Sequence, residues 1–522
     1  MILSHAIPNL AFDRARISPK QEAIFDYDSG IRYSYSDLEN RSEKLAYFLT
    51  KELGLKKGDR IGFIARTCVG MFDAFYASCK TGIIITTYNG LLKTTELIGL
   101  VENEEPKVIF FSEFFRGKAS NIRDTVRGIR EFICLDDFYG PENRYSYQDI
   151  LKCEVKEKLS RPLIDPEDLH MLVHTGGTTG TPKAAILSYR SVFMNAISEI
   201  LTWQLTCKDS AYIAMPLFHT GGWNLLTLPL LMTGGKLILA SVFDPGKMLK
   251  ISKEEKPSIF MGVEAMFNCI SNHPDFATTD LSCYHWMING GGPICKKSLE
   301  PYWNRGIRVF NGYGATEIGP NNLSPDVVNM TLEENRKKIN TVGKPFFFNQ
   351  LRIVDPEGND VPQGKPGELL WKGELSFSGY WNHPEAMEEI MVDGWIRSGD
   401  VGYMDKDGDV YICGRLKNMY ISAGENIYPL EVESVINSHP HVKKSCVIGV
   451  ADKRLGEVGR ALVVPNEGYD LAPEELKEYL IENLSSIKRP KYITIVESIP
   501  RNEVGKKDMR LIQEMYGTVK ER

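Results

Sequence analysis

Between Ile31 and Phe111 the apolar positions change rhythm repeatedly, from every second residue to every third or fourth. Tyr33-Ser-Tyr-Ser36 alternates as a strand does; Leu38, Leu45, Phe48 and Leu49 then recur at helical spacing, with Ser36 or Asp37 placed to cap that helix. The polar turn Leu55-Lys-Lys-Gly-Asp-Arg60 leads into a buried strand at Ile61-Gly-Phe-Ile64, and Cys68 to Ser78 reads as helix again. The exchange continues through Gly82 to Thr87, Thr95 to Glu102 and Val108 to Phe111. Strand and helix in alternation predict βαβ units on a parallel sheet.

Leu169 to Val173 predicts a short buried strand, Ser191 to Leu201 a helix, and Ala211 to Met215 a second buried strand. Ala211 to Gly235 contains no Lys, Arg, Asp or Glu and is long enough to span a bilayer. Pro216, Gly221, Gly222, Pro229, Gly234 and Gly235 cut it into short pieces, which suits buried strand-and-turn structure better than a spanning helix. Beyond Pro429 the pattern becomes helix (Glu431 to Ser438), strand (Ser445 to Val450), strand (Ala461 to Val464) and helix (Pro473 to Leu484), a compact α+β module after a long sheet-rich region.

At 522 residues the chain exceeds one ordinary core, so two or more domains are expected. A net charge of −6 supplies no general field for nucleic acid or an anionic membrane, so any polyanionic ligand must be held by local groups. The ten cysteines are scattered with no C-x-x-C pair and read as reduced thiols rather than a disulfide frame or zinc site. The first residues show no secretory signal pattern, and a cytoplasmic enzyme is expected.

The densest candidate chemistry is His174-Thr-Gly-Gly-Thr-Thr-Gly-Thr-Pro-Lys183, directly after an apolar strand. Its glycines, hydroxyls and lysine can wrap an anion. It is neither a Walker loop, because Lys183 lies between Pro182 and Ala184, nor a dinucleotide fingerprint, because Gly176, Gly177 and Gly180 do not give G-x-G-x-x-G. Alone, it could equally be a Gly/Thr surface turn. Met215-Pro-Leu-Phe-His219-Thr-Gly-Gly-Trp223 carries a histidine that, taken singly, reads as a core side chain. Trp286-Met-Ile-Asn-Gly-Gly-Gly-Pro293 runs a strand into a turn without Cβ atoms, against which a flat ligand can lie. Val309-Phe-Asn-Gly-Tyr-Gly-Ala-Thr-Glu317 adds a ring to stack on a base, a hydroxyl, and a hard oxygen donor suited to Mg²⁺. Asp400 by itself is an ordinary turn aspartate, Asp405-Lys-Asp-Gly-Asp409 a hairpin turn, and the basic stretch Pro500 to Arg510 a solvated surface.

In order and spacing these motifs resemble the adenylate-forming superfamily, in its acyl-CoA synthetase branch. The loop matches [ST]-[SG]-G-[ST]-T-G-x-P-K, Tyr313 to Glu317 matches Y-G-x-T-E, and Asn502-Glu-Val-Gly-Lys506 matches N-x-x-G-K. The resemblance covers nearly the whole chain. It implies an α/β fold: a large N-terminal domain of stacked α/β sheets with a β-barrel-like subdomain (residues 1–416, ATP and acid sites) and a small mobile α+β C-terminal lid (417–522). It implies ATP, Mg²⁺ and coenzyme A as ligands beside a small carboxylic acid, with no nucleic acid and no membrane-spanning segment; a homodimer is compatible with it.

The residue roles follow from the same likeness. Lys506, Glu317, Thr316 and Arg415 are the expected catalytic groups. Nucleotide, metal and CoA contacts are expected from Thr175, Gly176, Gly177, Thr178, Thr179, Gly180 and Lys183, from Gly290, Gly291 and Gly292, and from Asn311, Gly312, Tyr313, Gly314 and Thr316. Asp400 is expected to hold the ribose hydroxyls, Lys417 to be the hinge, and Gly424 to meet pantetheine. Mg²⁺ is expected on Glu317 and Thr179, and the acid among His219, Trp223, Asn289, Gly314 and Ala315, with His219 not assigned as a general base.

Gly176 stands where many members have Ser, and Ala184-Ala185 where many have Gly-Val. Thr-Gly-Gly-Thr-Thr-Gly is frequent among fatty acyl-CoA synthetases, and Thr-Gly-Gly-Trp-Asn after His219 lacks the Asp that holds an amino-acid ammonium. The expected substrate is therefore a medium- or long-chain fatty acid. The alternatives are an aryl or dicarboxylic acid (succinylbenzoate- or coumarate-like), and, from another class, a luciferase-like oxygenase or a carrier-protein acylating enzyme.

Overall fold

A computed structural model describes residues 10–136, 144–175, 182–501 and 507–518. The helix Tyr35–Tyr47 begins at Ser34, whose hydroxyl accepts from the Asp37 N–H while the Asp37 carboxylate accepts from the Ser34 N–H. Ser34 is thus the cap rather than Ser36 or Asp37; Asp37 closes the box from the third helical position, a reciprocal pair worth about 1 kcal/mol. Leu38 and Leu45 are fully buried, and Phe48 and Leu49 continue the buried face in a wider final turn.

Two seven-stranded sheets carry the front of the chain. In one, Leu169–Thr175, Ile84–Thr87, Arg60–Ile64, Val108–Phe111 and Glu131–Cys134 run parallel, and Lys183–Ser188 then Gly379–Tyr380 extend the edge antiparallel. In the other, Val309–Asn311, Trp286–Asn289, Ile259–Gly262, Ser210–Ile213, Lys236–Leu239 and Glu22–Asp26 are parallel, and Ile31–Ser34 closes the edge antiparallel. The parallel strands are mostly buried and largely apolar, as strands with both faces covered are. Uncharged Ala211 to Gly235 becomes part of a strand and the helices Thr220–Asn224 and Thr227–Thr233, the second ended by Gly234 at φ +87°. No helix among the described residues is long and apolar enough to cross a membrane.

The third sheet has eight antiparallel strands, in the order Tyr313–Ala315, Gly319–Ser324, Thr341–Pro345, Val410–Arg415, Trp395–Met404, Gly367–Gly373, Asn349–Val354, with Met391–Val392 on the side of Trp395–Met404. One apolar cluster runs from Ile61 and Ile85 through Leu237 and Ile288 to Leu369 and Trp371, so all three sheets share a core. The fourth sheet, of Tyr420–Ser422, Glu425–Ile427, Val442–Asp452, Gly456–Pro465 and Tyr492–Ile495, belongs to a small C-terminal domain whose two apolar clusters contain no residue before Tyr420.

Candidate active site

The phosphate-loop segment joins two antiparallel strands: Thr175 pairs with Lys183 in the ladder, and the Thr175 hydroxyl donates to the Lys183 carbonyl at 3.3 Å. Gly176, Gly177, Thr178, Thr179 and Gly180 lie outside the described residues, as does Lys506. At the end of the strand Leu169–Thr175, His174 Nε2 is 2.6 Å from Glu104 Oε1 and its Nδ1 is 3.0 Å from the Thr87 carbonyl; the Thr86 hydroxyl donates to the other Glu104 oxygen. Burial opposes the imidazolium, but Glu104 and the Thr87 carbonyl outweigh it and raise the His174 pKa. A buried paired histidine anchors the strand from which the loop springs.

Glu317 sits in the turn between Tyr313–Ala315 and Gly319–Ser324. Its Oε1 accepts from the Tyr380 hydroxyl at 2.8 Å, and Lys183 Nζ lies 5.5 Å from the Tyr380 ring centroid. Tyr380 reaches this point because Gly379–Tyr380 pairs with Lys183–Ser188, with Tyr380 opposite Ala185. Tyr380, which the sequence does not single out, stands between Lys183 and Glu317. Glu317 Oε2 has no protein partner among the described residues, so a hard, singly tethered carboxylate oxygen fits Mg²⁺.

The register of Trp395–Met404 against Val410–Arg415 puts Asp400 opposite Arg415, and their side chains meet at 2.7 Å. The Tyr313 hydroxyl donates to Asp400 Oδ2 at 2.6 Å, and the Tyr313 ring stacks toward Trp371 at 6.1 Å. Asp400 is 5% exposed. Burial raises its pKa, a shift only partly offset by the Arg415 guanidinium and the Tyr313 hydroxyl. Lys417 follows in a single tight turn, Leu416–Asn418, where burial and then neighbouring Arg415 lower its pKa. Gly424 lies at the exposed tip of the hairpin Tyr420–Ser422/Glu425–Ile427, with Ala423 at φ +49° and Gly424 at φ +84°. Both turn residues are left-handed, as a tight two-residue hairpin requires.

Gly314 is needed for close approach: a Cβ there would stand 2.0 Å from the Pro320 carbonyl oxygen across the hairpin. Gly314→Ala should therefore destabilise the protein by about 3 kcal/mol and remove most activity, because two strand backbones must part. A denaturant melt checks this; wild-type stability would show that the hairpin opens freely. Gly312 is tight against Ile288, Gly290 against Met261, Gly291 adopts φ +74°, and Gly292 faces open space. Asn289 is fully buried and donates to the Gly292 carbonyl and to Asn311 Oδ1, while Asn311 donates to the Ile339 carbonyl, so these two amides brace the glycine turn.

Ala315, Thr316 and His219 are half-buried, and His219 precedes the helix Thr220–Asn224. Trp223, expected to line the acid pocket, is 0% exposed, with its ring 5.3 Å from Phe72 and 5.4 Å from Phe75. It is core, because the helix turns it inward against Val69–Thr81. Direct contacts thus join Lys183, Tyr380 and Glu317 in one group and Tyr313, Asp400 and Arg415 in another.

Lys183, Tyr380 and Glu317 on one side and Tyr313, Asp400 and Arg415 on the other combine cations, aromatic rings and two carboxylates, the groups a nucleotide-using enzyme needs. The AMP-binding enzyme model matches residues 11–381 and the AMP-binding enzyme C-terminal domain model matches residues 431–506, so the chain belongs to the AMP-binding enzymes, in the acyl-CoA synthetase branch of the adenylate-forming superfamily. It is 32% identical over 493 residues to feruloyl-CoA synthase of Amycolatopsis sp, covering 94% of this chain and 95% of that one. It is 29% identical over 507 residues to the long-chain-fatty-acid–CoA ligase FadD13 of Mycobacterium tuberculosis, covering 96% and 97%. The solved structure of ATP-bound MatB from Rhodopseudomonas palustris superposes with a TM-score of 0.86 at 28% identity, covering 98% and 99%.

Proposed function

We propose that the chain activates an aryl carboxylic acid as its acyl-adenylate and passes the acyl group to coenzyme A, with residues 1–416 binding ATP and acid and residues 417–522 acting as the lid. The observation that carries the substrate reading is the likeness to feruloyl-CoA synthase, 32% identical over 94% of this chain. The medium- or long-chain fatty acid expected from the loop composition stays as the second reading, supported by the likeness to FadD13.

In the first half-reaction a carboxylate oxygen attacks the α-phosphorus of ATP and pyrophosphate leaves. Thr175 to Lys183 would hold the outgoing phosphates, Tyr313 and Asp400 the adenosine, Arg415 the charge beside Asp400, and Thr316 an α-phosphate oxygen, while Lys506 would bridge the carboxylate and the α-phosphate as charge grows. Bound at Glu317 and Thr179, Mg²⁺ would neutralise phosphate charge. In the second half, the CoA sulfur attacks the activated carbonyl and AMP leaves with the bonding pair; rotation about Lys417 would withdraw Lys506 and present Gly424 to the pantetheine arm.

The test is pyrophosphate and AMP release from MgATP over short to long fatty acids, benzoate, cinnamate, succinylbenzoate and amino acids, with and without CoA. CoA-dependent turnover should be fastest with the aryl acids. Turnover confined to fatty acids would shift the substrate to the second reading, and AMP release indifferent to CoA would remove the thiol acceptor.

A further inference from the structure

Against the strand that feeds the phosphate loop lies a buried charged pair that none of the steps above uses. Glu104 ends the helix Thr94–Glu104, Thr86 and Thr87 end the strand Ile84–Thr87, and His174 is the last residue but one of Leu169–Thr175. Glu104, Thr86 and Thr87 are 0% exposed and His174 is 8% exposed. Arg60 Nε donates to the Glu104 main-chain carbonyl at 2.6 Å, which fixes the end of the helix. The Tyr88 ring stacks on the imidazole at 5.3 Å, and burial keeps its hydroxyl protonated.

Both groups that face the ring nitrogens are acceptors. Nδ1 is 3.0 Å from the Thr87 carbonyl and Nε2 is 2.6 Å from Glu104 Oε1, so both nitrogens donate and the ring is an imidazolium. The Thr86 hydroxyl donates to Glu104 Oε2 at 2.6 Å, so each carboxylate oxygen has a donor. Burial disfavours the charged ring, yet Glu104 and the Thr87 carbonyl raise its pKa. As a plain anchor such a pair is a poor choice, because apolar residues of the same volume are often at least as stable in its place. What charge-assisted bonds add is a fixed orientation.

In the ladder His174 stands opposite Ala184, and Thr175 opposite Lys183. Cross-strand partners share a face and successive residues alternate, so His174 and Ala184 lie on one face and Thr175 and Lys183 on the other. The packing agrees: Ala184 joins Leu172 and Ile84 in one small cluster, while Val173 and Ala185 belong to the main core. Lys183 is thereby turned toward Tyr380, which pairs opposite Ala185 and reaches Glu317. We infer that Glu104 and His174 are positioning residues for the ATP phosphates: by clamping one face of the strand they set the roll with which its other face presents Thr175 and Lys183. Neither side chain touches the ligand; each acts through the backbone between them. The inference rests on the reading that Thr175 to Lys183 hold the phosphates, and adds to it the part of the fold that orients them.

The experiment measures KM for ATP by pyrophosphate release, and CoA-thioester formation from supplied acyl-AMP, in the wild type, Glu104→Gln, Lys183→Ala and the double variant Glu104→Leu/His174→Leu. The double variant removes both charges together and leaves no buried ion unpaired, so it should melt close to wild type. Its KM for ATP should rise at least about tenfold, because small misplacements of binding groups carry large losses. The thioester step uses no triphosphate and should be unchanged. Equal losses in both steps, or a stable double variant with wild-type KM, overturn the inference. The pH profile serves if the double variant does not fold. With its pKa raised, His174 makes both bonds below that pKa and loses one N–H as pH rises through it, so wild-type KM for ATP should climb at pH values above the ordinary histidine pKa of about 6.5. In Glu104→Gln the amide donates to Nε2 and the ring stays neutral, so KM near neutral pH should stay within about threefold of wild type and the climb should vanish. Other groups near the phosphates, Lys183 among them, titrate alike in both proteins, so the difference between the two curves reads the pair; superimposable curves overturn the inference. A wild-type KM in Lys183→Ala would overturn it together with the phosphate-loop reading, whereas a raised KM there beside an unmoved Glu104/His174 variant would overturn it and leave that reading standing.

Discussion

Lys506→Ala should all but abolish acyl-adenylate formation while leaving thioester formation from supplied acyl-AMP and CoA nearly intact. The lysine is assigned to the first half-reaction alone, where it offsets charge on the pentavalent phosphorus. Removing one such preorganised group costs about 10²- to 10³-fold in rate, because the low-dielectric site has nothing to replace it. The measurement is two separate assays, pyrophosphate release from MgATP plus acid, and CoA-thioester formation from synthetic acyl-AMP. Equal losses in both would show that Lys506 serves the fold or both transition states, and would remove the reason for the lid to turn between steps.

Asp400→Asn should raise the KM for ATP and lower kcat/KM about 10- to 100-fold, the loss of one or two hydrogen bonds to a charged acceptor. The carboxylate is a shared acceptor: Arg415 holds Oδ1, the Tyr313 hydroxyl reaches Oδ2, and ribose hydroxyls are proposed to join them. An amide of the same shape offers N–H where those partners need an oxygen, and Arg415 loses its counter-charge. Thermal stability should change little, since Arg415 is half exposed and water can solvate it. Titrating ATP in the pyrophosphate assay checks this; a KM within twofold of wild type would detach Asp400 from the nucleotide.

Local chemistry made much of the fold readable in advance. The strand Val108–Phe111 and the helices near Val69–Thr81 and Pro473–Asn483 fall where apolar spacing places them, because their signals lie within one turn or one pleat. One miss is local: Ser34 rather than Ser36 caps its helix, a matter of backbone angles that serine, common in both roles, does not announce. The others are long-range. Lys183–Ser188 is a strand because Leu169–Thr175 offers it an edge, and Tyr380 reaches Glu317 only because a two-residue strand from nearly two hundred residues later adds to that edge. Trp223 is beside glycines in sequence and beside Phe72 and Phe75 in space, a packing that its neighbours along the chain do not announce.

Arg415 faces Asp400 across the strand pair, and Lys417 lies only two residues further along the chain. If the lid turns at Lys417, the ribose sits almost on the axle. Points near an axle hardly travel while points at the rim sweep through large arcs, so the adenylate can stay still as the groups around its carbonyl are exchanged. One bound intermediate would then be shown to two sets of tools without being let go, and the angle turned at the pivot, rather than any loosening of the nucleotide, would set how far the machinery moves.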